Sequence, residues 1–247
     1  MTSNSESCLV RHLSNFAELD KDSMEAIAKF EKENVDYAKN EIVVPAGEVN
    51  DYIYVVKRGW LYQHRDTIKG GRQIIRLFVP GDIIGICDLT TQSSPSTLYT
   101  CAEITLCPFP KTGLQTVFRR SPQLAAVLLG ISARDQVLLS NKIAVMGRLD
   151  VTRRVAYFLL TLHARLSLTN PEMNNSFRLP LTQHELGDAV GSTNVSMSRS
   201  LARLKEKGFL TKNSGRIFIR DLDGMKHYAD FRNHYADMDL SWIPDGR

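Results

Sequence analysis

The sequence predicts an α+β chain in three parts: a small antiparallel β-roll, one long helix, and a helix-turn-helix followed by a hairpin wing. Three stretches carry that prediction. From Tyr37 to Phe109 short β-branched and aromatic runs are punctuated by glycine. From Pro122 to about Gly147 apolar residues recur at alternating spacings of four and three. From Leu181 to Leu210 the segment LTQHELGDAVGSTNVSMSRSLARLKEKGFL reads as helix, tight turn, helix.

The first segment, to about Glu33, reads as helical around Phe16, Leu19, Met24, Ile27 and Phe30, with Asp22 or Ser23 as its cap. The runs EIVVPAG, DYIYVVKRG, WLYQHR, RQIIRLFVPG, DIIGI and LYTCAEITLCPF follow. Turns are expected at Gly47, Gly59, Gly70, Gly81 and Gly85, and no helices alternate with these strands, so a roll is favoured over βαβ units. After Pro108 and Pro110 comes a helical region, and Pro122 starts a helix nearly 40 Å long at about 1.5 Å per residue. Leu124, Leu128, Ile131, Asp135, Leu138, Lys142, Val145 and Leu149 share one face of it, as a seam for a partner helix would, with Asp135 and Lys142 fixing register between two identical chains. The alternative is an amphipathic helix lying on the roll, and the two are compatible on different faces.

A break at Gly147 precedes a new helix in LDVTRRVAYFLLTLHA, capped by Asp150, which makes Gly147–Asp150 the expected hinge. Residues 169–175 form a polar loop, Phe177 to Leu181 leads extended into the helix pair, and a last helix is expected from Gly224 to Tyr235. The resulting division is a roll domain over 1–121, the long helix and hinge over 122–149, a domain carrying the helix pair and wing over 150–235 and a tail over 236–247.

Within the helix pair, Leu186, Val190, Met197, Leu201 and Leu204 point inward, while Asn194, Val195, Ser198, Arg199 and Arg203 fall on the open face of the second helix. Gly187 keeps a side chain out of the crossing and Gly191 supplies positive φ where the first helix stops; Ser192 or Thr193 caps the second, with Ser196 in its first turn. Asn213, Ser214 and Gly215 turn a hairpin whose flanks carry Lys212 and Arg216. Residues 151–220 hold 11 lysines and arginines against 4 acids, whereas residues 1–150 hold 17 of each, so the positive charge coincides with this motif. Such a surface is suited to releasing counterions from double-stranded DNA. A plain packed helix pair beside a surface hairpin would not explain that coincidence.

Composition excludes other classes. The chain is 43% apolar and 23% charged, no apolar run reaches about 18 residues, and MTSNSESCLVRHL lacks an export signal, so a cytoplasmic protein without membrane contact is expected. Cys8, Cys87, Cys101 and Cys107 form no CxxC pair and no zinc-finger spacing with histidine. A cupin-like metalloenzyme would need two or three histidines and a carboxylate inside the roll, and only His64 lies between Tyr37 and Phe109, so the chain is not expected to be an enzyme. A nucleotide-binding regulatory subunit acting on a partner protein would leave the basic helix pair without a role.

The glycine-punctuated roll, the long helix ending in LDVTRRVAYFLL, and LTQHELGDAVGSTNVSMSRSLARL with its wing together resemble the Crp/Fnr family of bacterial transcription regulators from about Leu19 to about His227. The resemblance implies a cyclic-nucleotide-binding-like roll, a dimerisation helix and a winged helix-turn-helix, working as a homodimer on palindromic promoter sites with RNA polymerase as a partner. Members that bind cyclic AMP supply a Glu for the ribose and an Arg-Ser pair for the phosphate. In this chain Ile86 stands at the Glu position and Ser96-Thr97 at the Arg-Ser position, so a cyclic phosphate would lack its charged fork. Ser140 matches a base-contacting position. Oxygen-sensing members hold an iron-sulfur cluster on several amino-terminal cysteines, where this chain has only Cys8. Haem held by His64 and Cys87, as in the carbon-monoxide-sensing branch, would rest on a single roll histidine, and no cofactor is predicted. The effector positions are therefore Ile86, Cys87, Ser96, Thr97 and Ser140, for an unidentified signal.

The resemblance also assigns DNA contacts. Many members read bases with an Arg, a Glu and a second Arg, and the corresponding residues here are Asn194, Val195 and Arg199. Arg199 keeps the geometry for guanine, and Val195 suits a thymine methyl. Thr152, Thr182, Gln183, Thr193 and Ser196 match positions that mostly contact phosphate.

Overall fold

The run YIYVVKR is apolar without alternation because both faces of its strand are covered. In the computed structural model, which describes residues 10, 13–14, 19, 21–30, 32–68, 70–170, 172–235 and 242, this run is strand β3 (Tyr52–Arg58), third of the strands after helix α1 (Lys21–Ala28), β1 (Val35–Tyr37) and β2 (Ile42–Val44). Then come β4 (Leu61–Asp66), β5 (Arg72–Phe78), β6 (Ile83–Ile84), a short 3-10 turn over Cys87–Leu89, β7 (Thr97–Thr100) and β8 (Ile104–Pro110). The strands form two four-stranded sheets, ordered β1-β8-β3-β6 and β2-β7-β4-β5. Tyr54 and Val56 of β3 pack with Val44, Leu61, Phe78, Leu98 and Leu106 between the sheets. Ile53 and Val55 point the other way, into a cluster with Ile27, Phe109, Leu114, Val117, Leu124, Val127 and Ile131. Each of these residues of β3 therefore leaves water, whichever way the pleat turns it.

The expected glycine turns all have positive φ, at Gly47, Gly59, Gly70, Gly81 and Gly85. Gly59 is the tightest: a Cβ there would lie 2.0 Å from the Glu103 carbonyl oxygen. The run LYTCAEITLCPF divides into β7 and β8, with Ala102 and Glu103 in the turn.

Helix α2 (Lys111–Arg120) leads into α3 (Pro122–Arg148). Here the amino-terminal part of the expected partner seam is corrected. Leu124 and Ile131 are 0% and 2% exposed within the helix-side core of the roll, and Leu128 packs partly against it. Lys142, further along the same face, donates through Nζ to the carbonyls of Ile74 and Ile75, both at 2.8 Å. Leu124, Leu128 and Ile131 thus follow the roll-cover reading, while Lys142 is engaged within the second unit. At about 100° per residue the exposed apolar residues Leu129 and Ile143, 63% and 64% accessible, lie on roughly the opposite side.

The chain falls into two compact units, Met1–Gln63, Leu77–Asp135 and Asp239–Arg247 in the first, His64–Arg76 and Gln136–Met238 in the second. The division runs inside α3, and the hairpin between β4 and β5 is grouped with the second unit. The second unit continues with α4 (Val151–Thr169), β9 (Ser176–Arg178), α5 (Gln183–Val190), α6 (Asn194–Glu206), β10 (Leu210–Asn213), β11 (Arg216–Ile219) and α7 (Leu222–Ala229). Asp150 caps α4, its Oδ1 accepting from the amides of Thr152 and Arg153. The helical break lies at Leu149–Asp150, two residues after the expected Gly147. Helix α1 already begins at Lys21, ahead of both expected caps, and α7 stops at Ala229, where Asp230 adopts positive φ, rather than reaching Tyr235. Cys8 and Phe16 lie outside the described residues, as does the tail 236–247 except Trp242.

Burial pulls the Lys142 ammonium down from 10.5 to about 8. Between those values the unfolded chain binds the extra proton, so stability rises with pH from about 8 to about 10.5, by ~3 kcal/mol at most, and the effect is flat below about 8. Urea denaturation between pH 7 and 10 should show this rise in the wild type and its loss in Lys142→Met; parallel profiles would contradict it.

Candidate nucleic-acid interface

Two helices meet at a glycine. A Cβ on Gly187 would sit 2.8 Å from the Ser192 carbonyl oxygen, so only a bare Cα lets the turn fold back over α5. Gly191 closes α5 with φ of 65°, a conformation open to glycine at little steric cost. At the start of α5, Thr182 and Glu185 form a reciprocal capping box. Thr193 caps α6, its Oγ1 accepting from the Ser196 amide at 3.3 Å; Ser192 does not serve as the cap.

Leu186, Val190, Met197 and Leu204 are buried, and Leu201 is half-buried. Asn194, Val195, Ser198, Arg199 and Arg203 are exposed along one side of α6. Gln183 braces that side: its Nε2 donates to the Ser198 hydroxyl and, at 3.3 Å, to the Asn194 carbonyl. The hairpin of β10 and β11 turns at Ser214 and Gly215, both at positive φ, with Lys212 and Arg216 exposed beside it. Strand β9 joins on the far side of β11, giving the wing three strands ordered β10-β11-β9. Helix N-termini, exposed guanidiniums and a basic wing together suit a polyanion.

One expected contact is displaced. Thr152 is 3% exposed, and its hydroxyl donates to Ser200 Oγ at 3.2 Å, tying α4 to α6. The burial that fixes this join withholds the side chain from a phosphate. Asp188, which carries no motif in the sequence, is a junction of the second unit. Its carboxylate takes Arg72 Nε at 2.8 Å and lies 3.2 Å from His184 Nδ1, and its carbonyl accepts from Gln73 Nε2.

In the first unit, next in sequence to the effector positions Ile86 and Cys87, stands a second carboxylate without a sequence signal, Asp88. It is 5% exposed and accepts from Asn50 Nδ2 at 2.7 Å and Ser94 Oγ at 3.3 Å, while Lys111 Nζ donates to its main-chain oxygen. Ile86 packs partly against the helix-side core and Cys87 is exposed. Ser96 is buried, and Thr97 is buried with its Oγ1 accepting from the Ala46 amide. Ser140 lies in the second unit, exposed on α3. His64, also in the second unit, is buried with Nδ1 3.4 Å from the Asp66 carboxylate, and burial lowers its pKa.

Among the described residues no group of three His, Cys, Asp or Glu is placed to hold a metal, and no helix is long and apolar enough to cross a membrane.

Residues 34–121 match the cyclic nucleotide-binding domain family, and residues 153–228 match the Crp-like helix-turn-helix domain. The transcriptional activator protein FnrA of Stutzerimonas stutzeri is 25% identical over 207 residues, 84% of each chain. The nitrogen fixation regulation protein FixK of Azorhizobium caulinodans is 25% identical over 77% of this chain and 76% of its own. In fold, the chain is similar to FixK2 of Bradyrhizobium japonicum, with a TM-score of 0.73 and 23% identity over 79% of this chain and 96% of that one. Both domains, in this order and joined by α3, make the chain a member of the Crp/Fnr family of DNA-binding transcription regulators.

Proposed function

We propose that the chain works as a homodimer that reads palindromic promoter sites, each protomer laying α6 in a major groove, with successive half-sites about 34 Å apart. The observation that carries this reading is the exposed row Asn194, Val195, Ser198, Arg199 and Arg203 on a helix whose other side is locked into the unit. Arg199 reads guanine and Val195 a thymine methyl, while Thr182, Gln183, Thr193, Lys212 and Arg216 orient the chain on phosphates. Leu129, Val137, Leu139 and Ile143, exposed on α3, supply the apolar face for a second α3, with Ser140 among them. RNA polymerase is the partner by family resemblance.

The roll acts as the sensor, and its cassette takes neither cyclic AMP nor an iron-sulfur cluster. Ser96 and Thr97, buried and uncharged where the resemblance puts an Arg-Ser pair, support the first exclusion, because a cyclic phosphate there would lack a cationic partner. The signal reaches α5 through the β4–β5 hairpin, whose Arg72 and Gln73 hold Asp188.

Arg199→Ala should weaken binding to the cognate duplex by about 1 to 3 kcal/mol and relax preference at one base pair, as measured by anisotropy titration against single-substitution duplexes. An equal loss on scrambled DNA would remove base reading from Arg199. For the hairpin, a double-mutant cycle of Arg72→Met and Asp188→Asn, read in DNA affinity, should show non-additivity of about 0.5 kcal/mol or more. Strict additivity would disconnect the hairpin from the DNA-binding helices.

A further inference from the structure

The register of the wing places two arginines face to face. Arg216 of β11 pairs with Arg178 of β9 on one side and with Asn213 of β10 on the other. Directly paired residues of an antiparallel ladder share a face, so both guanidiniums leave the same side of the sheet. Ser176 and Phe218 continue that side, and Arg216 Nη1 donates to Ser176 Oγ at 3.2 Å. The other side, with Phe177, Leu210, Ile217 and Ile219, is buried.

Like charges directly opposite each other destabilise a sheet unless something negative lies between them. Both arginines are exposed, and among the described residues neither has a carboxylate partner. Arg178 also stands at a junction. The following amide, Leu179 N, donates to the Gly215 carbonyl at 2.9 Å, so the chain stays fastened to the wing turn. Four residues beyond Arg178, Thr182 caps α5. Arg178 thus lies between the wing tip and a helix N-terminus, the two places where the proposed function puts phosphates.

We infer that Arg178 and Arg216 form a clamp for the phosphodiester backbone of duplex DNA flanking the base pairs read by α6. The inference rests on the DNA-binding mode proposed above and lengthens its footprint. Two guanidinium forks held at one strand spacing grip a phosphate, or two adjacent ones, with charge-assisted hydrogen bonds. This grip carries no base information, so it strengthens specific and non-specific binding alike.

The test uses the full chain and a duplex that the wild type selects from a random pool, made long with flanks and short without them. Arg178→Gln should weaken binding to the long duplex about three- to tenfold, and by the same factor on a scrambled long duplex. It should reduce the slope of log K against log salt by about 0.9 for each phosphate no longer neutralised, and leave the short duplex unaffected. Arg178→Lys should keep the salt slope, and a thermal melt of Arg178→Gln should be no lower than the wild type, since relief of the like-charge pair can only stabilise the wing. Wild-type affinity and slope for Arg178→Gln on both duplexes would overturn the clamp alone, and is the result an acidic protein partner for this face would give. If the wild type binds no duplex, the DNA-binding mode falls and the clamp with it.

Discussion

How Arg199 stands out from the chain is decided by the close approach of the bare Cα of Gly187 to the backbone of Ser192. The Ser192 amide donates to the Gly187 carbonyl at 2.9 Å, and the Ser192 carbonyl occupies the space a side chain would need. That approach lets Met197 and Leu204 reach the core, where Thr152 and Ser200 join α4 to α6 through their hydroxyls. With one side of α6 fixed by packing and the Gln183–Ser198 hydrogen bond bracing the other, little rotational freedom remains to be lost on binding. The exposed row of α6 is therefore held in place by contacts within the unit, buried ones and the Gln183–Ser198 bond alike.

The helix pair was legible in the sequence because its determinants are local. Two glycines, the Thr182–Glu185 capping box and the Thr193 cap lie within a dozen residues of one another, and each needs only backbone geometry to be read. The roll was legible for a related reason: Gly47, Gly59, Gly70, Gly81 and Gly85 mark turns by their own φ. The face of α3 was misread because a three-four repeat reports that a face is apolar and not what covers it. Leu124 and Ile131 meet the roll, and Lys142 commits its ammonium to two carbonyls of β5. Thr152 was misread in the same way, as a surface hydroxyl that is in fact a buried join. Arg178 left no local trace, since its significance appears only once strand register sets it opposite Arg216, 38 positions along the chain.

The cassette shows how a fold can keep a family shape while changing its electrostatics. Buried carboxylates are tolerated where donors surround them, and Asp88 has an amide side chain, a hydroxyl and a neighbouring lysine whose ammonium reaches its carbonyl. Asn50 also accepts from the Tyr52 amide, so the same network orders the start of β3. Asp88 thus holds together the turn between β6 and β7 and the entry to the central strand. Replacing it with a cation would strip Asn50 Nδ2 of its acceptor and leave the Ser94 hydroxyl with the Ser96 carbonyl. Asp88 and its donors are part of the roll's internal bonding.

Within the second unit, polar interactions tie the β4–β5 hairpin and α4 to α5. Arg72 and Gln73 hold Asp188, and Arg154 Nη1 donates to the carbonyls of Val190 and Gly191 at the end of α5. Each such hydrogen bond is worth about 1 kcal/mol net, somewhat more where a charge takes part. Any effector that shifts the hairpin can bias α5 by no more than the hydrogen bonds it breaks, which comes to about a few kcal/mol. A coupling of that size tunes affinity by roughly one to two orders of magnitude. On the proposed DNA-binding mode, such a coupling leaves the basal affinity to α6 and the wing.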